Sequence, residues 1–195
     1  MSLNPGTRNQ ILEIALELFR AQGYSATSLR QIAESADLTK AAVYYHFPAK
    51  EQIIIELTRP FLDEVEQMVD LITDDPPRQP GDQMRMMGEY LDLLVRHRDV
   101  ISLLREDPAT QHHPEVGQRG FALNARLVAH LAGEEAGHDA ITRTRCAFAA
   151  LHGILLCDPE CLEEARPVVL GAAWAALMAP PAGEGPIAAA VQTTH

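Results

Sequence analysis

The sequence predicts an all-α protein: a small N-terminal three-helix unit containing a helix-turn-helix, then a larger helical part, about nine helices in total. Three observations carry this. Apolar residues recur at spacings of three and four along the chain, and no stretch alternates convincingly with period two. Two short helical segments separated by a tight break lie within residues 27–50. Proline, glycine and capping residues fall where helices would have to begin and end.

The elements follow in order. Ile11, Ala15, Leu18 and Phe19 form one apolar stripe, and Gly23 stops that helix. Ser28 with Gln31 three residues later is a capping-box pattern, opening a short helix through Ile32 and Ala33. A break at Ala36, Asp37 and Leu38 precedes a third helix from about Thr39 to His46, ended by Phe47 and Pro48. A long amphipathic helix is expected from Lys50 to about Ile72, with Ile54, Leu57, Phe61, Val65, Met68 and Ile72 on its apolar side. Pro60 inside it lacks an N–H and should bend it. Residues 74–81 are a Pro/Asp/Gly linker.

Met84, Met87, Leu91 and Leu94 mark the next helix, and Val100, Leu103 and Leu104 a shorter one ending by Pro108. Pro114 is expected to open another, with Phe121, Ala125, Val128 and Leu131 along one side. A helix from about Asp139 to Cys157 carries the small-residue stripe Cys146, Ala150 and Gly153. The last helix opens with Asp158 as N-cap and Pro159 at its first position. It ends in Val168–Ala179, apolar around its whole circumference, and such a helix must be buried on nearly all sides. A partner subunit is the simplest way to bury it. Residues 180–195 read as a frayed tail.

Composition narrows the class. The chain has 195 residues, 47% hydrophobic and 22% charged, the balance of a globular protein. A chain of this length can bury roughly 70% of its unfolded surface, so it needs neither disulfides nor a metal to fold. The longest apolar run is too short to span a bilayer, and residues 1–8 are polar, unlike a signal peptide. Three cysteines do not suggest a secreted disulfide framework. A soluble cytoplasmic protein without membrane contact is expected. The net charge of −11 is unevenly spread: residues 1–58 hold five basic and six acidic side chains, and the remainder eleven and twenty-one. With a Debye length of about 8 Å at physiological salt, a distant acidic domain barely weakens a local basic surface. The charge therefore does not exclude DNA.

Residues 39–46, Thr-Lys-Ala-Ala-Val-Tyr-Tyr-His, suit the second helix of a helix-turn-helix entering a major groove. Alanines allow close backbone approach, and Ala42 and Val43 supply the inward face. Thr39 and Lys40, at the positively polarised N-terminus, can reach phosphates. Tyr44, Tyr45 and His46 offer donors, acceptors and flat apolar faces to phosphate, thymine methyl or base edge.

Gly23-Tyr24-x-x-Thr27-Ser28-Leu29-Arg30-x-Ile32-Ala33, followed by Leu38-Thr39-Lys40-x-Ala42-Val43-Tyr44-Tyr45-His46-Phe47-x-x-Lys50, resembles the TetR (tetracycline-repressor) family of bacterial transcription regulators. The resemblance covers about the first fifty residues. It implies a DNA-binding domain over residues 1–49 and a ligand-binding and dimerisation domain over 50–179. It further implies a homodimer on double-stranded operator DNA, repressing nearby genes until a small molecule binds. Carried over by position, it places Thr27, Ser28 and Arg30 near phosphate. Thr39, Lys40, Ala41, Tyr44, Tyr45 and His46 would face the operator, with Lys50 on backbone phosphate. Three positions depart from the family pattern. Asp37 stands where glycine is frequent in the turn, and Ala41 also replaces a frequent glycine. Ala49 replaces the usual Asn, Asp or Ser cap of the long helix, at a cost of ~1 kcal/mol if nothing substitutes.

Met68, Met87, Tyr90, Phe121, Asn124, Phe148 and His152 are candidates to line an adaptable, largely apolar effector pocket. Ordinary core packing explains any single methionine as well, and a satisfied structural role explains His152. Ala150, Gly153, Val169, Ala172 and Ala176 are candidates for the dimer interface. His112, His113 and Glu115 have the composition of a metal cluster but lack a second matching group, so they read as solvated surface. Cys157 and Cys161 read as buried free thiols. No catalytic motif, metal site or cofactor is expected. The competing class is a DNA-free sensor or an enzyme on the same scaffold, although such a chain would have no physical need for the surface from Lys40 to Lys50. Within regulation, a ligand-dependent activator or co-repressor type is the alternative. Effector binding is expected to act on DNA through the long helix, with Pro60 shaping how it moves.

Overall fold

The computed structural model describes residues 5–74, 79–133 and 135–181. Ten α-helices are present among them: α1 (Pro5–Gln22), α2 (Leu29–Ser35), α3 (Lys40–His46), α4 (Lys50–Asp74), α5 (Pro80–Arg96), α6 (Arg98–Glu106), α7 (Pro108–Gln111), α8 (Arg119–Ala132), α9 (His138–Leu151) and α10 (Leu162–Leu177). The described residues contain no strand, so the all-α expectation is met. Part of the expected linker, residues 75–78, and nearly all of the expected tail, residues 182–195, lie outside the described residues. No described helix is long and apolar enough to cross a membrane.

The chain divides into two compact units. The first comprises residues up to 64 together with 97–122, and the second residues 65–96 together with those from 123 onward. Helix α4 contributes to both, and it runs as one helix through Pro60.

The first unit has a dense core. Ile11, Ala15 and Phe19 of α1 meet Ile32 and Ala33 of α2, Val43 of α3, Phe47, and Ile53 and Ile54 of α4, with none more than 2% exposed. Leu103 of α6 and Val116 complete the same core, although they stand far along the chain. The periodicity of residues 11–54 foreshadows this packing, because each apolar residue falls on the helix face that its spacing predicts.

In the second unit α9 packs along α10, and α5 also packs against α10. Buried residues on α5 are Met86, Met87, Tyr90, Leu91, Leu93 and Leu94, and on α9 Thr144, Ala147, Phe148 and Leu151. Arg126 of α8 pairs with Asp70 of α4 at 3.1 Å, and Arg166 of α10 grips Asp92 of α5 with bonds of 2.9 and 3.0 Å.

Several expectations need correction. A five-residue π-helical turn (Pro114–Gln118) precedes α8, so Pro114 opens that turn and not the α-helix. The buried side of α8 is Leu123, Leu127, Val128 and Leu131, while Phe121 is 79% exposed and Ala125 is also exposed. The turn wider than an α-turn shifts the helical phase, which a stripe counted straight from Pro114 cannot anticipate. The helix expected to reach Cys157 tightens to a 3₁₀ segment at His152–Leu156. Asp158 makes no side-chain cap, and Pro159–Cys161 form another 3₁₀ turn before α10 begins at Leu162. The cysteines are not buried: Cys146 and Cys161 are exposed and Cys157 is half-buried. On α10 only Ala173 is buried, and Val168 is 70% exposed, so within one chain its apolar circumference stays largely uncovered.

Candidate nucleic-acid interface

The helix-turn-helix is built by local hydrogen bonds that the sequence specifies almost directly. At the start of α2 the Gln31 N–H donates to Ser28 Oγ at 3.3 Å, and Ser28 N–H donates to Gln31 Oε1 at 2.9 Å, closing the capping box. After α2, Asp37 takes φ of +53°, and the Leu38 N–H returns to the Ala33 carbonyl at 2.9 Å. A left-handed residue at this point reverses the chain in three residues, and aspartate tolerates that conformation better than most side chains. Thr39 then caps α3, its Oγ1 accepting from Ala42 N–H at 3.1 Å.

Helix α3 is anchored by one face. Val43 is fully buried and Phe47, just past its end, is 1% exposed. With those two fixed inward, Lys40, Ala41, Tyr44 and Tyr45 stand outward; Tyr44 is 41% and Tyr45 66% exposed. Lys40 Nζ lies 5.3 Å from the centre of the Tyr44 ring. Two large aromatic side chains flanking a lysine and an alanine, all presented by a rigid helix, form a surface suited to a groove edge. Arg30 is exposed on α2 and pairs with Glu34 at 2.7 Å. An exposed i,i+4 pair is worth ~0.5 kcal/mol or less, so a phosphate could draw Arg30 away.

Four of the expected contact residues carry structural duties. Thr27 is 2% exposed, donates its hydroxyl to the Gly23 carbonyl at 2.8 Å and accepts from Gln22 Nε2 at 3.0 Å. Ser28 and Thr39 are caps, as described, although both remain exposed. Lys50 directs its ammonium into the turn between α1 and α2, donating to the carbonyls of Tyr24 at 2.7 Å, Thr27 at 2.8 Å and Ser25 at 3.4 Å. It also sits 4.2 Å from the Tyr24 ring centre. Burial lowers its pKa from the ordinary lysine range, only partly opposed by Glu51 and Asp107. Its three N–H donors are thus turned toward protein carbonyls.

His46 differs from its neighbours in α3. It is half-buried, and its Nδ1 is enclosed without a hydrogen-bond partner. It lines a cleft of about 360 Å³ together with Arg8, Glu56 and Arg59. Glu56 there accepts from Arg8 at 3.0 Å and from Arg59 at 2.7 Å, so one carboxylate holds both arginines of the cleft, and Glu115 also lines it.

Sequence reasoning missed two residues, Ser25 and Asp107. Asp107 is 8% exposed, accepts from Ser25 N–H at 2.8 Å and Ser25 Oγ at 3.0 Å, and caps α7 through Ala109 N–H at 2.9 Å. Burial opposes its charge, but the bonds from Ser25 and Ala109 and the positive Lys50 outweigh that and hold its carboxyl below the usual range. Asp107 before Pro108 is a recognisable N-cap signal; its pairing with Ser25, 82 residues away, has no local signature.

The effector candidates are partly brought together, within the second unit. The Tyr90 hydroxyl lies 3.3 Å from His152 Nε2, and His152 Nδ1 is 2.8 Å from the Phe148 carbonyl. Donation from Nδ1 to that carbonyl leaves Nε2 to accept from Tyr90. Asn124 also hydrogen-bonds Tyr90, whose burial drives its pKa far above the usual tyrosine value. The Tyr90 and Phe148 rings meet edge to face at 5.1 Å. Met87 is fully buried and Met68 half-buried, whereas Phe121 belongs to the first unit and faces outward. Of the interface candidates, Ala172 is exposed, and Ala150, Gly153, Val169 and Ala176 are half-buried. A methyl group on Gly153 would meet nothing within 4 Å. Among the described residues no group of three His, Cys, Asp or Glu could hold a metal, and His112 Nδ1 sits 2.8 Å from the Pro108 carbonyl.

Comparison with known proteins bears on this site. Residues 11–57 match the model of the bacterial regulatory proteins, tetR family. The HTH-type transcriptional repressor KstR2 of Mycolicibacterium smegmatis is 32% identical over 98 residues, covering 48% of this chain and 46% of that protein. The matches thus span less than half the length of the curated relatives. Among solved structures, a TerR/AcrR-family transcriptional regulator from Aquifex aeolicus has a TM-score of 0.64 at 21% identity, covering 88% of this chain and 98% of its own. A SmeT–triclosan complex has a TM-score of 0.60 at 22% identity, covering 88% and 91%. The structural likeness shows a shared fold. The family match is confined to the N-terminal segment that carries the helix-turn-helix.

Proposed function

We propose that this chain is a tetR-family, ligand-responsive, sequence-specific DNA-binding transcriptional regulator, a repressor released from its operator by a small molecule. The observation that carries the reading is the outward face of α3. Lys40, Ala41, Tyr44 and Tyr45 stand exposed on a helix locked from behind by Val43 and Phe47. Rigid presentation of aromatic and cationic side chains is what direct readout of a groove requires. Arg30, Ser28 and Thr39 flank that face as phosphate contacts, while Thr27 and Lys50 support it through the turn they hold.

In this reading residues 1–49 bind DNA and 50–179 bind effector and partner. Two copies associate through α9 and α10, with Ala150, Gly153, Val169, Ala172 and Ala176 at the interface, and set two recognition helices about 34 Å apart or slightly more. The effector is largely apolar and is received near Met87, Tyr90, Asn124, Phe148 and His152. A structure of the same fold solved as a SmeT–triclosan complex, and relatives named as transcriptional repressors, support the reading of a ligand-responsive repressor. Release follows only if the effector prefers a conformation that binds DNA poorly.

The test is fluorescence anisotropy of the purified protein on the DNA flanking its own gene, at two salt concentrations. Specific binding that weakens steeply with salt and falls at least tenfold in Tyr44→Ala is expected. A folded dimer with no specific binding at any genomic site would overturn the reading.

A further inference from the structure

We propose that Asp107 is a positioning residue for DNA binding: its carboxylate ties the α6–α7 corner to the α1–α2 turn and so sets where α2 and α3 present their contact surface. The inference rests on the DNA-binding reading above.

The α1–α2 turn is held partly from within and partly by residues distant in sequence. Between Gly23 and Ser28 its internal backbone bonds are few, with Gly23 N–H on Phe19 and Thr27 N–H on Tyr24. The Thr27 hydroxyl adds a bond to the Gly23 carbonyl, and the carbonyls of Tyr24, Ser25 and Thr27 with the N–H of Ser25 are met from outside, from two sides. Lys50, the first residue of α4, takes the carbonyls of Tyr24, Ser25 and Thr27. Asp107 takes the N–H and the hydroxyl of Ser25. A cation on the carbonyl side and an anion on the N–H side orient the peptide groups of the turn as no neutral pair would. Ser28, the N-cap of α2, follows three residues later, so α2 starts from a point that this clamp defines.

Capping alone does not explain Asp107. The one-turn helix α7 needs a single acceptor, and Oδ1 supplies it to Ala109 N–H. Oδ2 is left for Ser25 N–H, at 2.8 Å. Beneath it the corner is rigid, since Thr110, 1% exposed, donates its hydroxyl to the Asp107 and Leu104 carbonyls at 2.7 and 3.1 Å. Helix α6 runs straight into this corner, and its Leu103 lies in the same core as α1–α3. A displacement of α6 by about 1 Å would take bonds of this length past the range in which they hold. Asp107 is therefore the point at which movement of α6 would release the turn and, with it, the DNA-contacting helices.

The experiment measures operator affinity, the ratio of specific to non-specific affinity, and amide hydrogen exchange over residues 25–31. It compares wild type, Ser25→Ala, Asp107→Ala and the double variant, well below their unfolding temperatures. Ser25→Ala removes one bond to the carboxylate and leaves the α7 cap intact. Operator affinity is expected to fall roughly three-fold in Ser25→Ala and tenfold or more in Asp107→Ala. The double variant should be no weaker than Asp107→Ala, exchange over 25–31 should accelerate, and the specificity ratio should drop. A folded Asp107→Ala that keeps affinity and specificity within twofold of wild type has lost only a cap, and overturns the proposal. If wild type binds no operator, the functional reading fails by itself and exchange decides the tie: acceleration over 25–31 supports it, and unchanged exchange overturns it.

Discussion

The two compact units handle their apolar residues in opposite ways. In the first, short helices close on a core in which Phe19, Val43, Phe47, Ile53 and Ile54 are essentially inaccessible, and the large side chains left outside on α3 are Tyr44 and Tyr45. In the second, α10 is the most apolar helix of the chain, yet only Ala173 on it is buried, and Leu156 and Val168 are 80% and 70% exposed. The first unit closes its core within one chain and offers a polar-aromatic face on α3, with Phe121 as the large apolar side chain exposed elsewhere on it. The second leaves an aliphatic face of alanines, glycine and valine uncovered. Exposed aliphatic surface is the kind that suits an interface between proteins, whereas tyrosine beside lysine suits a wet surface facing a charged partner. One criterion, burial within the chain, thus separates the face proposed for DNA from the face proposed for a partner copy.

That contrast can be broken or sharpened by substitution. The largest effect is expected from Phe47→Ala, which empties a core position 1% exposed at the end of α3. Urea unfolding should lose about 3–5 kcal/mol, and DNA affinity should fall with it because α3 loses its anchor. A loss below about 1 kcal/mol would show that the first unit is not the tightly closed body described.

A smaller effect, and one confined to the second unit, is expected from Ala172→Glu on the exposed side of α10. In a single chain it should alter stability by no more than about 0.5 kcal/mol. In a dimer through α10 it places an unpaired carboxylate in an apolar contact and should weaken association by about 2–4 kcal/mol. Sedimentation equilibrium reads this directly, and an unchanged dimer would remove α10 from the interface. The smallest effect is a gain. Asp37→Gly relieves a left-handed residue at φ +53°, and after the entropy of glycine is counted should stabilise the first unit by about 0.5–1 kcal/mol. Thermal unfolding that moves downward instead would mean that the Asp37 side chain supports the turn.

The outcomes of the sequence reading divide along the same line. Gly23, the Ser28–Gln31 box, the break at Asp37 and the start of the third helix at about Thr39 all stand where the sequence placed them, because each depends on residues no more than five positions apart. Phe121 and the start of α10 were misplaced because a π-helical turn and two 3₁₀ segments change the helical phase, and α-periodicity assumes a constant one. The cysteines were misjudged because burial is decided by neighbours that the sequence does not name. The duties of Thr27 and Lys50 escaped for a related reason: a threonine or lysine near a helix start looks the same from sequence whether it faces solvent or the turn beneath it.

By itself the sequence determined an all-α chain and the helix-turn-helix near its N-terminus; of the six residues expected toward the operator, Thr39, Lys40, Ala41, Tyr44 and Tyr45 stand exposed and His46 is half-buried. Capping, turn geometry and helical period are local, and they act within a few residues. The tertiary structure alone decided that Leu103 and Val116 join the N-terminal core, that Tyr90 and His152 meet, and that Lys50 and Asp107 grip one turn from opposite sides. Those pairings join groups tens of residues apart. Their partners are selected by packing of whole helices, and no spacing along the chain records that choice.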